Sequence, residues 1–146
     1  MMTSLEIAWT GGLSFTSVGN GASIAMASGD ADRPSPMQLL GYAVMGCMSM
    51  DVVHILERGR HRLTAMAVRF EGEHAAQPPR RYTHVTLHFD ITTSADAAVV
   101  ERAINLSKTT YCPVWRSLRP DIELTTVATV RAIDEAVSGS EPSAQG

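Results

Sequence analysis

The sequence predicts an α+β fold with a mainly antiparallel sheet, in a single domain over residues 1–133 followed by a disordered tail over 134–146. Three observations carry this. The first 27 residues alternate short β-prone runs with glycine turns; an almost uncharged apolar run with clear start and stop signals follows; two long alternating segments then face each other across a proline-containing loop. The resulting order is three strands, a helix, two strands, a helix, a short helical turn and a last strand. The tail "SGSEPSAQG" has too little apolar surface to offset the entropy of ordering it.

In chain order, "LEIAWTGGLSFTSVGNGASIAMA" (5–27) divides into three short strands, turned at Gly11-Gly12 and at Gly19-Asn20-Gly21, because tight hairpins need the positive φ that glycine adopts readily. A helix is predicted over 36–58. Ser35 is its N-cap, Pro36 suits the first helical position, and Gln38 stands where a capping box needs it. Gly59 is expected to end it in the left-handed conformation. At 1.5 Å per residue such a helix is about 35 Å long. Apolar side chains from Leu39 to Leu56 fall on every face of it, so it must be covered all round. Part of that cover is expected from a second subunit, with Gly41 and Gly46 letting another backbone approach beside Cys47. Next, "RLTAMAVRFEGE" (62–73) and "RYTHVTLHFDITT" (81–93) form a hairpin, with Val85, Leu87 and Phe89 facing one way and His84, Thr86 and His88 the other. "SADAAVVERAINLSK" (94–108) reads as an amphipathic helix capped by Ser94, "CPVWRSL" (112–118) as a helical turn, and "DIELTTVATVRA" (121–132) as the last strand.

Composition excludes several function classes. A formal net charge of −3 and a pI near 5.9, with Lys and Arg concentrated only in "RGRHR" (58–62), give no reason to expect nucleic acid or an anionic lipid surface as partner. The uncharged run from Leu39 ends at Asp51, short of the roughly 18 to 20 residues that span a bilayer, so no membrane partner is expected. Two cysteines in the whole chain, with no N-terminal charged-then-apolar signal, point to a reducing compartment, the cytoplasm.

His84 and His88 share a strand face but lie roughly 13 Å apart, too far for one metal ion, and no metal site is expected. His54 stands two helical turns beyond Cys47 and reads as a core histidine. Asp51 is one turn after Cys47; a carboxylate there disfavours a thiolate and needs a partner of its own, such as an arginine. Cys112 is in a different setting. In "YCPVW" it precedes Pro113 and is expected at the N-cap of a short helix, where free N–H groups favour a thiolate, so it should be the more acidic of the two cysteines. Taken alone, the residues leave open whether the pair is used in redox chemistry or is two unrelated packed thiols.

The segment "RPSPMQLLGYAVMGCMSMDVVHILERGR", followed later by "YCPVW", resembles the osmotically inducible and organic hydroperoxide resistance family, OsmC/Ohr, over nearly the whole chain. The resemblance implies an OsmC-like fold of sheets around a long central helix, assembled as an intertwined homodimer with two sites at the interface. It implies reduction of organic hydroperoxides by a reactive cysteine, Cys47, and a resolving cysteine, Cys112, with no cofactor and with a small dithiol or a lipoylated protein as reductant. Tyr42, Met45, Met48 and Trp115 would then give the site an apolar lining suited to a hydrophobic substrate.

In the peroxidase branches of that family an arginine of the first hairpin pairs with a glutamate at the start of the central helix. Here the hairpin reads "GGLSF", and Met37 and Gln38 follow Pro36, so neither residue is in its usual place. Arg33, in the loop before the helix, is the candidate replacement, and Arg116, four residues after Cys112, is a second cation. The alternative reading is a non-peroxidase dimer of the same fold that binds a small apolar molecule or performs other thiol chemistry.

Overall fold

Gly11 (φ 116°) and Gly12 (φ 55°) turn β1, Ile7–Gly11, back along β2, Ser14–Ser17, and Gly19 and Gly21 (φ 74° and 97°) lead on toward β3, Ala25–Ala27. The computed structural model describes residues 1–19 and 21–134, and the expected tail lies, from residue 135 on, outside them. The three strands form an antiparallel sheet in the order β1-β2-β3. The chain divides into two compact units, Met1–Ala43 and a second that starts at Val44, and the long helix α1, Pro36–Arg58, runs from the first into the second.

Helix α1 begins where its local chemistry requires. The Gln38 N–H donates to Ser35 Oγ at 3.1 Å and the Ser35 N–H donates to Gln38 Oε1 at 2.9 Å, a reciprocal capping box. Its end differs from expectation. Arg60, not Gly59, takes the left-handed conformation (φ 64°), with the His61 N–H donating to the Leu56 carbonyl at 3.0 Å and the Arg60 N–H to Glu57 at 2.9 Å, the two bonds of a Schellman cap. Gly59 serves this cap through its size: a Cβ there would stand 2.9 Å from the His61 ring.

One stripe of α1, Val44, Met48, Val52 and Leu56, is wholly buried, whereas Tyr42 and Met50 are exposed. By length and composition α1 is long and apolar enough to cross a membrane. The buried stripe belongs to the core of the second unit, while Leu39, Leu40, Met45, Val53 and Ile55 are only half-buried, so part of the apolar surface of α1 is left uncovered by this chain.

The second sheet has the order β4-β5-β6, with β4 at Leu63–His74, β5 at Tyr82–Thr93 and β6 at Glu123–Arg131. Val85, Leu87, Phe89 and Ile91 alternate inward along β5 and are buried, while His84 and His88 stand on the other face beside Glu73 and Glu71. The β4–β5 pair is antiparallel as expected, but β5 and β6 are parallel, because the connection between them crosses over through helices instead of turning back. That crossover starts with α2, Ala97–Leu106, whose N-cap is Asp96 and not Ser94. The Ser94 hydroxyl is already taken, accepting the Arg62 N–H at 2.8 Å, while the Asp96 carboxylate accepts the Val99 N–H at 3.0 Å. Val100, Ala103 and Ile104 bury the inner face of α2.

Candidate functional site

Instead of stopping at Leu106, the crossover helix widens into a π-helical turn, Ser107–Tyr111, before α3, Pro113–Arg116. The turn is closed by the Cys112 N–H donating to the Ser107 carbonyl at 2.9 Å. It is pinned from two sides: the Ser107 hydroxyl donates to Asp51 Oδ2 of α1 at 2.7 Å, and Lys108 Nζ donates to the Leu124 carbonyl of β6 at 3.0 Å. Asp51 thus finds a serine hydroxyl where an arginine was expected. Cys112 follows as the N-cap of α3, its sulfur accepting the Trp115 N–H at 3.3 Å.

The two cysteines meet here. Both are free thiols, Cys112 wholly buried and Cys47 partly exposed, and the Cys112 S–H lies in hydrogen-bonding reach of the Cys47 sulfur. The expectation that the N-cap position makes the Cys112 thiol acidic is overturned. Burial pushes the Cys112 thiol up to about 11, and its hydrogen bond to Cys47 adds to the rise; the N–H groups of Trp115 and Val114 pull the other way and lose. A full set of N-cap contacts does not outweigh removal from water. At pH 7 such a thiol is ionised only on the order of once in 10⁴ molecules.

The other sequence-derived residues are placed as follows. Arg33 is exposed in the first unit, its Nε 3.9 Å from Asp30 Oδ2. Tyr42 is 63% exposed, Trp115 is half-buried, and Met48 is wholly buried, which makes it a core side chain and not a surface that a ligand reaches. Beside Asp51, a groove of about 550 Å³ is lined by His54, Ile55, Arg58, Leu106 and Tyr111. Among the described residues no cluster of His, Cys, Asp or Glu is arranged to hold a metal ion. Sequence reasoning missed Ser107 and Lys108; the signal available was the polar run "SKTTY" at the end of an amphipathic helix, in a chain whose apolar central helix carries an aspartate in need of a donor.

Residues 29–127 match the family model of OsmC-like proteins. The chain belongs to the OsmC-like family. It is 37% identical to protein YhfA of Escherichia coli over 124 residues, which cover 82% of this chain and 92% of that one. Two solved structures show the same fold. A putative osmotic stress induced and detoxification response protein from Psychrobacter arcticus superposes with a TM-score of 0.78 at 20% identity, covering 88% of this chain and 97% of that chain. An organic hydroperoxide resistance protein OsmC from Legionella pneumophila gives 0.67 at 15% identity, covering 89% and 99%. The OsmC-like family model includes both Cys47 and Cys112 and ends within β6.

Proposed function

We propose that this OsmC-like chain reduces organic hydroperoxides through a two-cysteine cycle. The observation that supports it is the pairing of an accessible thiol with a buried, protonated one within hydrogen-bonding reach. Cys47, as thiolate, attacks the terminal peroxide oxygen; the O–O bond breaks, the alcohol leaves with a proton, and Cys47 becomes a sulfenic acid. The Cys112 sulfur then bonds to the Cys47 sulfur, its proton joins the departing hydroxide, and water leaves. A dithiol or lipoylated protein returns both cysteines to thiols. Cys47 takes the first step because it has solvent access, which Cys112 lacks.

The proposed working unit is a cytoplasmic homodimer, supported by the apolar surface of α1 that one chain leaves uncovered. Arg33 is proposed as the cation that favours the Cys47 thiolate, and Tyr42 and Trp115 as apolar contacts to the substrate. The test is consumption of cumene hydroperoxide in the presence of a dithiol, with mass spectrometry of the product. Turnover lost in Cys47→Ser and a Cys47–Cys112 disulfide in the oxidised protein are expected. Two separately alkylatable thiols after mild peroxide treatment would refute the cycle, and an unchanged rate in Arg33→Ala would remove Arg33 from it.

A second reading is favoured by the groove beside Asp51, whose lining by Ile55, Leu106 and Arg58 fits a small apolar molecule with an anionic end. Saturable binding without peroxide turnover is its expected outcome.

A further inference from the structure

We infer that Asp51 and Ser107 form a latch that sets the approach of Cys112 to Cys47, so that Ser107 and Asp51 are positioning residues for disulfide closure. The inference rests on the two-cysteine reading above and concerns its second half.

Ser107 is wholly buried, and its side chain is satisfied by one group, the Asp51 carboxylate, at 2.7 Å. Its backbone carbonyl meanwhile holds the Cys112 N–H at 2.9 Å. One residue is therefore bonded at once to the helix that carries Cys47 and to the cysteine that must reach it. On the α1 side the attachment point is equally direct, because Asp51 follows Cys47 by four residues and stands beside it on the same face. The path from Cys47 to Cys112 runs through a single helical turn, one side-chain hydrogen bond and one backbone hydrogen bond.

The π-helical turn makes this support necessary. Its backbone bonds are less favourable than those of an α-helix, and such turns persist where something outside holds them. Lys108 holds the turn to β6, and Ser107 holds it to α1. If the Ser107 hydroxyl is removed, the attachment to β6 remains and only the one that faces the Cys47 helix is lost. The fold should survive, while the approach of the two sulfurs loosens. Closure forms one S–S bond, breaks the S–O bond of the sulfenic acid and the S–H bond of Cys112, and releases one water; its rate depends on how often the sulfurs meet in line.

Two measurements test the latch. In the first, the protein is oxidised with one equivalent of cumene hydroperoxide and quenched with dimedone, so that open sulfenic acid and closed disulfide are counted separately. Ser107→Ala and Asp51→Ala are expected to slow closure about tenfold, the worth of one hydrogen bond, while formation of the sulfenic acid in Ser107→Ala is unchanged. Asp51→Asn keeps an acceptor oxygen for the Ser107 hydroxyl and is expected to close near the native rate. Equal slowing in Asp51→Asn and Asp51→Ala would assign the effect to charge and overturn the latch, as would native closure in all three variants. In the second measurement the thiol pair is equilibrated with a glutathione redox buffer, which needs no peroxide. The Cys47–Cys112 disulfide should be about tenfold less favoured in Ser107→Ala than in the native protein and restored in Asp51→Asn. A native protein inert to hydroperoxide that still shows this difference would overturn the peroxidase reading and leave the latch standing. No difference in the glutathione equilibrium would overturn the latch.

Discussion

The two three-stranded sheets are written in similar β-prone sequence and end in different states. In the first, strands of 5, 4 and 3 residues leave Ile7 52% and Trp9 67% exposed, and Ala27 is the strand residue it buries. In the second, strands of 12, 12 and 9 residues alternate over most of their length, and Val85, Leu87, Phe89 and Ile91 keep 2% or less of their surface. Strand length and the presence of a covering layer make the difference: the second unit has α2 and the inner stripe of α1 to complete a core, whereas in the first sheet Phe15 and Met26 are only half-buried. The thiol pair and the buried core strands thus belong to the second unit, and the first keeps more of its apolar side chains exposed.

The largest test of that contrast compares two aromatic truncations. Phe89→Ala is expected to lower unfolding free energy by about 3 to 5 kcal/mol, and Trp9→Ala by less than about 0.5 kcal/mol when the chain is monomeric. Denaturant titration measures both. A large loss for Trp9→Ala, together with a drop in mass by light scattering, would show that a second copy covers β1.

A smaller test uses glycine. A Cβ at Gly72 would stand 2.5 Å from the Tyr82 ring, so Gly72→Ala should cost about 1 to 3 kcal/mol. Nothing lies within 4 Å of a Cβ at Gly46, so Gly46→Ala should stabilise the isolated chain by about 0.5 to 1 kcal/mol through helix propensity. Weakened self-association in Gly46→Ala would place a partner backbone at that position.

The smallest effect at neutral pH concerns Cys112. Its thiol is raised to about 11 in the folded chain against an ordinary value of 9.0, so between these values the folded state holds a proton that the unfolded state has released. Stability should therefore be complete below pH 9.0 and fall as pH rises through about 11. Melting curves of the native protein and Cys112→Ser over that range should differ in slope; parallel curves would deny the burial of the thiol.

What the sequence revealed was whatever its neighbours in the chain determine. The helix over 36–58 was readable because Ser35, Pro36 and Gln38 act on one another within a single turn. The β4–β5 hairpin was readable from its alternation. Each departure involves a distant group. Ser94 loses the cap to Asp96 because its hydroxyl serves Arg62 across the sheet end, and Asp51 is met by Ser107 from the crossover. The acidity of Cys112 follows the same rule: its local N-cap position argues for a thiolate, and burial by residues far along the chain decides against it. The proximity of Cys47 and Cys112 came from family resemblance; spacing alone left the thiols independent.

The parallel pairing of β5 with β6 also carries an expectation about the order of folding. The β4–β5 hairpin joins near neighbours, His74 with Tyr82, and closes a short loop, whereas β6 reaches its place only after the whole helical crossover has been gathered, pairing Val85 with Leu124. The hairpin amides are expected to gain protection from hydrogen exchange earlier in refolding than those of β6. Because Lys108 binds Leu124, the π-helical turn is anchored on its β6 side only when β6 docks. The seat of Cys112 is therefore expected to be completed late, so that the two thiols are brought together only as β6 docks.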